Sequence, residues 1–249
     1  MTRRVGVEVL AGIHRLGSRV VGFYVIEDGG RLTVVDAGAP KHIGKLFRYF
    51  AATGHTIGDV EAVVLTHAHA DHMGFAESLR KRAPAVVHVH EDDHRHALGE
   101  PLPERDRGLM PYLWRPAAWK SLFGLGAAGI AAVPPIVEAA AFGDGQVLDV
   151  PGRLRAVHAP GHTPGSCVLV AESRGGVFTG DVIVTWNPLT GRRGPQVMPG
   201  AFNDDTDLAL ASLDRLEGVV ATSVLPGHGE PWAGPIGEAV AAARAAGAF

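Results

Sequence analysis

Residues 65–75 read LTHAHADHMGF, which crowds His67, His69, Asp71 and His72 into six positions directly after an apolar run. A neutral imidazole offers one lone pair, and hydrophobic packing has no use for three of them side by side. Metal ligation does. In an extended segment, side chains two apart point the same way, so His67 and His69 can serve one ion. Asp71 and His72 follow where the chain turns into a helix, and adjacent side chains there diverge. One short loop can thus feed two neighbouring metal positions. Imidazole with carboxylate suits zinc, iron or manganese, and no thiolate is needed.

Three further loops carry residues of the same kinds. APGHTPGS places His162 between Gly161 and Gly165, FTGDVI places Asp181 behind a glycine, and LPGHGEP places His228 between Gly227 and Gly229. Glycine lets backbone approach an ion closely. Taken singly, each of these is an ordinary turn. With the 67–72 cluster they form a set of five histidines and two aspartates.

The elements that must position this set follow a regular rhythm. Five apolar, β-prone runs each end in a loop of Asp, His, Gly or Thr: 31–40, 61–72, 153–166, 175–184 and 222–231. Continuous Val, Ile and Leu imply strands covered on both faces. In α/β architectures ligands gather beyond the carboxyl ends of strands, so the five loops can converge on one edge. Helical spacing lies between the runs. It covers 41–54 with Gly54 as a left-handed stop, 73–84 halting before Pro84, 204–218 with Leu208, Leu210, Leu213 and Leu216 on its apolar side, and 234–247. The reading is a single domain, 1–249, interrupted by an insertion at about 97–145. That insertion, with LMPYLWRPAAWKSLFGLG, admits two readings: a packed helix or homodimer contact, or a lid walling an apolar entrance.

Composition narrows the function classes. A net charge of −3 gives no footprint for nucleic acid or an anionic membrane, and Arg80, Lys81 and Arg82 read as a solvated helix end. The stretch 121–135 is shorter than the roughly 20 residues a spanning helix needs. The start, MTRRVGVEVLAG, lacks a secretory apolar core, and the one cysteine, Cys167, cannot form an internal disulfide. The expectation is a cytoplasmic protein with a small-molecule substrate, no nucleic-acid partner and no membrane partner.

The combined motifs resemble the metallo-β-lactamase superfamily. His67-Ala-His69-Ala-Asp71-His72 is similar to its HxHxDH motif, and GHTPGS at His162, GD at Asp181, GH at His228 and VVDAG at Asp36 match its other motifs in the same order. The resemblance spans roughly 19–231 and leaves 97–145 unexplained. It implies an α/β fold, an αββα sandwich of two mixed sheets. By that resemblance His67, His69 and His162 hold one ion, Asp71, His72 and His228 hold a second, and Asp181 bridges them. Asp36 and Thr66 then look like the residues that orient the ligands.

What the resemblance implies for activity is hydrolysis of an ester-like bond. Two divalent ions, zinc foremost with iron or manganese as alternatives, share a bridging hydroxide, and Asp71 orients it and passes its proton to the leaving group. Lactamases of the largest subclass carry cysteine where this chain has Asp181, which turns the likeness toward the glyoxalase II and lactonase branches. Val184 stands where quorum-lactone hydrolases carry tyrosine. The aromatic and aliphatic insertion favours a partly apolar acyl group, so thioesters and lactones lead. The rival readings are a mononuclear iron persulfide dioxygenase with nearly the same ligands, and a β-lactamase of the all-His/Asp type.

A second histidine-rich run, HVHEDDHRH at 88–96, reads as a strand end followed by a solvated polar helix. His158 reads as packed within its strand, Cys167 as buried and structural, and His14, His42 and His55 as lacking partners.

Overall fold

The chain is described from a computed structural model covering residues 6–248, so Arg3 and Arg4 lie outside the described residues. The apolar runs form strands that are buried on both faces, as their continuous branched aliphatics require. In β1 (Val7–Leu10), β2 (Ile13–Gly17), β3 (Gly22–Asp28), β4 (Arg31–Val35), β5 (Val60–Val64), β6 (Val86–His90) and β7 (Ala140–Phe142), spatial order follows chain order. The second sheet contains β8 (Val147–Leu148), β9 (Leu154–His158), β10 (Cys167–Ala171) and β11 (Gly176–Gly180). A two-stranded ribbon, β12 (Val184–Trp186) and β13 (Arg193–Gln196), precedes its last strands, β14 (Ser223–Pro226) and β15 (Trp232–Ala233). The order across it is β15-β14-β11-β10-β9-β8.

Alternation of side chains sorts each strand between two cores. Tyr24, Ile26, Val35, Val64, Ala156, Leu169, Phe178 and Leu225 meet between the sheets. Their neighbours Phe23, Val25, Val34 and Val63 face outward onto α1 (Ile43–Thr53), through Leu46, Tyr49 and Phe50. Val168, Val170, Val177 and Val224 face the opposite way, onto Leu213, Leu216 and a C-terminal helix that buries Ile236, Ala239 and Ala243. These three cores separate four layers, helices–sheet–sheet–helices.

Strand direction explains where the loops go. β4 and β5 are parallel, so Asp36 and the 65–72 loop leave the first sheet at the same end. β9 and β11 are both antiparallel to β10, and β14 is parallel to β11. The loops carrying His162, Asp181 and His228 therefore leave the second sheet together. Backbone bonds sew the two edges: Gly22 N donates to Gly227 O at 2.7 Å and Cys167 N to Thr66 O at 3.0 Å. Tyr24 Oη donates to Pro226 O at 2.8 Å.

Several expectations change in detail. The helix expected over 73–84 is split into α2 (Ala70–Met73) and α3 (Ala76–Arg82). The break falls at Phe75, where the chain turns to residues 37–40: Gly74 N donates to Gly38 O at 2.8 Å and Phe75 N to Ala37 O at 3.2 Å, and a Cβ on Gly74 would come within 2.7 Å of the Ala39 carbonyl carbon. Arg80 and Lys81 are not simply solvated, because both pair with the buried carboxylate of Glu77, at 2.8 and 3.3 Å. Helix α4 (Glu91–Ala97) begins after His90, and the inserted segment folds into α5 (Pro116–Ala128). The helix expected at 204–218 starts at Thr206 as α6 (Thr206–Ala211), capped by Asp205, and tightens to a 3-10 turn over Ser212–Leu216. Leu208 on it is exposed. The last helix is α7 (Ile236–Ala246).

His42 Nδ1 accepts from Ala39 N at 3.3 Å, His55 lies 3.6 Å from Asp59, and His14 packs on Tyr49, so none of these three is partnerless. Cys167 is buried, and burial pushes its thiol well above the usual range. Among the described residues no helix is long and apolar enough to cross a membrane.

Phe178 stands edge-on to Tyr24 at 5.2 Å in the core between the sheets. Phe178→Ala is expected to lower unfolding free energy by about 3–5 kcal/mol, read from denaturant midpoints at an unchanged m-value.

Candidate metal centre

All seven residues singled out by spacing meet at the shared edge of the two sheets. Ligand atoms of His67, His69 and His162 lie within 4.8 Å of one another, as do those of His67, His72 and Asp181, and those of Asp71, His72 and His228. Asp181 stands in the middle. Its Oδ2 is 3.1 Å from His228 Nε2, 3.2 Å from His162 Nε2 and 3.9 Å from His67 Nε2, while Oδ1 is 3.4 Å from His72 Nε2. Asp71 Oδ2 lies 3.5 Å from His228 Nε2.

Partners outside the cluster orient the rings. His72 Nδ1–H donates to Asp36 Oδ2 at 2.9 Å, His162 Nδ1–H to Asn203 Oδ1 at 3.0 Å, and His228 Nδ1–H to the Val20 carbonyl. His67 Nδ1–H donates to Thr66 Oγ1 at 3.0 Å, and that hydroxyl donates onward to the Asp36 carboxylate at 3.1 Å. With Nδ1 thus occupied, the Nε2 lone pairs of His67, His72, His162 and His228 are turned inward. His69 instead turns Nδ1 inward, 2.8 Å from His162 Nε2.

Asp36, which also accepts from Thr66 N at 2.9 Å, is held with a left-handed backbone at φ 57°. That conformation costs a non-glycine residue on the order of 1 kcal/mol, and the fixed carboxylate between two loops offsets it.

The electrostatics ask for positive charge. Burial and the neighbouring imidazoles drive His67 and His69 well below the usual histidine range, so both are neutral imidazoles that could serve as ligands. Burial alone would raise Asp181, yet His228 and His72 beside it hold its carboxyl well below the usual range. Burial would equally lower His72, but Asp181 and Asp36 outweigh it and push that imidazole up to about 10. His67 Nε2, His69 Nε2 and Asp181 Oδ1 are buried without any hydrogen-bond partner. A buried polar atom left unpaired costs about 1–3 kcal/mol, and a cation coordinated at this point would satisfy His67 Nε2 and Asp181 Oδ1. The donor set, imidazole nitrogen and carboxylate oxygen, fits a divalent metal.

Backbone shape allows this crowding. A Cβ on Gly227 would stand 2.6 Å from Asp181 Oδ1 and closer still to the His72 ring, so only glycine fits there.

Two side chains that hold the site were not singled out by spacing. Asn203, which orients His162, lies in a run of cap-type residues and gives no separate signal. Asp93 lies in the run read as a solvated helix, yet it is fully buried. Its carboxylate accepts from Ala68 N at 2.8 Å, Thr163 Oγ1 at 2.8 Å and Gly165 N at 2.7 Å. It ties the loop bearing His67 and His69 to the loop bearing His162. The sequence carries no clear signal for it: within α4 only Ala97, four residues on, is buried beside it.

Comparison with known proteins agrees with this geometry. The family model described as the metallo-beta-lactamase superfamily matches residues 19–228. The chain is 26% identical over 246 residues to "Probable metallo-hydrolase YflN" of Bacillus subtilis, covering 92% of this chain and 88% of that protein. A crystal structure of a metallo-beta-lactamase family protein from Thermus thermophilus superposes with a TM-score of 0.68 at 24% identity, covering 95% and 79% of the two chains. The Rm3 metallo-beta-lactamase superposes with a TM-score of 0.69 at 18% identity, covering 98% and 92%. The chain belongs to the metallo-beta-lactamase superfamily. Within that class it is a hydrolase, and its histidine and aspartate clusters suit a divalent metal.

Asp93→Ala leaves the buried N–H groups of Ala68 and Gly165 unpaired and takes one partner from Thr163 Oγ1. It is expected to destabilise the protein by about 3 kcal/mol or more and to weaken metal retention about 10–100-fold. Chemical denaturation and a chelator-competition assay measure the two effects. Asp36→Asn, which keeps the volume but removes the charge facing His72, is expected to weaken metal retention by a similar factor with a smaller loss of stability.

Proposed function

We propose that this protein holds two divalent ions, zinc in the first instance, and hydrolyses an ester-like bond in a small, partly apolar substrate, with thioesters and lactones the favoured classes. The observation that carries the reading is the pair of three-residue ligand groups, His67/His69/His162 and Asp71/His72/His228, on either side of the one carboxylate of Asp181. His67, His69 and His162 would hold one ion, and Asp71, His72 and His228 the other, with Asp181 shared. Ions so held supply a hydroxide nucleophile at neutral pH and Lewis acidity toward a carbonyl.

The chain's own residues divide the remaining work. Asp181 is 2% exposed at its side chain, whereas Asp71 is 17% exposed. Asp71 is therefore the carboxylate that meets the substrate side, placed to orient the attacking water and to carry its proton to the leaving group. Asp36, Thr66 and Asn203 keep the imidazoles in one tautomer through turnover.

A cleft of roughly 350 Å³ adjoins the histidine loop at Ala68 and Ala70, and Leu102, Ile130, Val133 and Pro135 of the insertion wall it. His96 and Glu100 line the same cleft, so its wall is mixed in polarity; its place beside the histidine loop supports the entrance-wall role for part of the insertion. The neighbouring α5 instead packs Ala118 against Leu189 and Ala201.

Elemental analysis of the purified protein, followed by a panel of thioesters, lactones, phosphodiesters and β-lactams, tests the proposal. Two zinc ions per chain with thioester or lactone turnover is the expected result. One iron per chain with oxygen consumption would reassign the protein as a dioxygenase. Asp181→Ala is expected to lose metal and turnover together, and a variant that kept two ions and full activity would refute the shared-carboxylate role.

A further inference from the structure

The polar run after β6 holds a second group of ligand-type side chains that the catalytic cluster leaves unused. His90 ends β6, Asp92 lies in the first turn of α4, and His158 ends β9 on the other sheet. A nitrogen of each imidazole and an oxygen of Asp92 all lie within 4.8 Å of one another. Asp92 Oδ2 is 3.7 Å from His90 Nδ1 and 3.5 Å from His158 Nε2. The spacing within 88–96 supplies only two of these residues; folding brings the third.

Other observations set this group apart from a chance surface cluster. His90 is 2% exposed; its Nδ1 accepts the helix-capping bond from Asp92 N at 3.3 Å, and its Nε2 is buried without a hydrogen-bond partner. The first turn of α4 also carries Glu91, Asp92 and Asp93, a charge that outweighs the positive end of a short helix. Asp93 is committed to the catalytic loops, which leaves Asp92 free to turn its carboxylate toward the imidazoles.

The His90 and His158 rings stack at 4.1 Å with planes 16° apart. The rings of His67, His69 and His162, by contrast, stand 78–89° apart. Sharing an ion therefore requires His158 to turn and His90 Nδ1 to release the Asp92 N–H it accepts. The His158 side chain is 18% exposed, which leaves it room, and it exchanges its 2.8 Å bond to the Pro164 carbonyl for the metal bond.

We propose that His90, Asp92 and His158 form a second, peripheral site for one divalent transition-metal ion such as zinc, with water completing the coordination. Two imidazole nitrogens and one carboxylate oxygen are a zinc-type donor set. The half-exposed Asp92 makes the site open and its ion exchangeable. The site stands apart from the hydrolytic reading and does not depend on it.

Zinc titration by calorimetry of the protein already carrying its resident metal tests the proposal. Wild type is expected to take up one ion beyond those of the catalytic cluster. Asp92→Asn and His158→Ala are each expected to weaken that event more than about 10-fold, the loss that even an outer partner causes at metal sites. Asp92→Asn, at a solvent-facing position, keeps the test sound if loss of the Pro164 bond unsettles the His158 variant. Diffraction from zinc-soaked crystals at the zinc edge should place an anomalous peak between the three side chains. Equal isotherms for all three proteins, or anomalous density confined to the catalytic cluster, would overturn the site.

Discussion

A single buried carboxylate sets the terms for this molecule. Asp181 lies among four imidazoles drawn from three loops, in a place where water cannot screen it. A buried charge survives only when paired or coordinated. The imidazoles therefore cannot drift away from Asp181, and the glycines around it cannot be replaced without pushing it aside. The strained backbone at Asp36 belongs to the same demand, since it delivers a second carboxylate to the far side of His72.

That demand explains the architecture as much as the chemistry. The ligand-type side chains are divided between the sheets: the first supplies His67, His69, Asp71 and His72, and the second His162, Asp181 and His228. Two sheets placed face to face bring the 65–72 loop and the loops at His162, Asp181 and His228 to a common rim. Interleaved aliphatic side chains hold the sheets together beneath it. Asp93 then fixes the spacing across the rim, accepting from a loop of each sheet. The layers provide the platform and the carboxylates set the distances.

Much of this could be read from residues alone. The five apolar runs are strands because branched aliphatics on both faces leave little alternative, and their polar ends converge because the strands that matter run in the same direction. The ligand candidates stood out for their chemical types and glycine neighbours, and the structure draws all seven together. What stayed hidden depends on three-dimensional proximity. Asp93 sits among solvent-like charges, and its inward face is shared in α4 only with Ala97, a residue too small to mark it. Asn203 looks like one more capping residue. The carbonyl of Val20 that orients His228 has no side-chain signature at all. The split after Met73 falls where Gly74 and Phe75 turn to residues 37–40, a contact between segments far apart in the chain.

The bonds that join the two sheets at the rim, from Gly22 to Gly227, from Tyr24 to Pro226 and from Cys167 to Thr66, involve none of the metal-facing atoms. The rim is thus closed by bonds that leave the imidazole nitrogens and carboxylate oxygens of the cluster uncommitted to holding the sheets together. Nitrogen and oxygen donors of this kind suit several divalent transition metals, so the fold that joins the two sheets does not by itself choose among them.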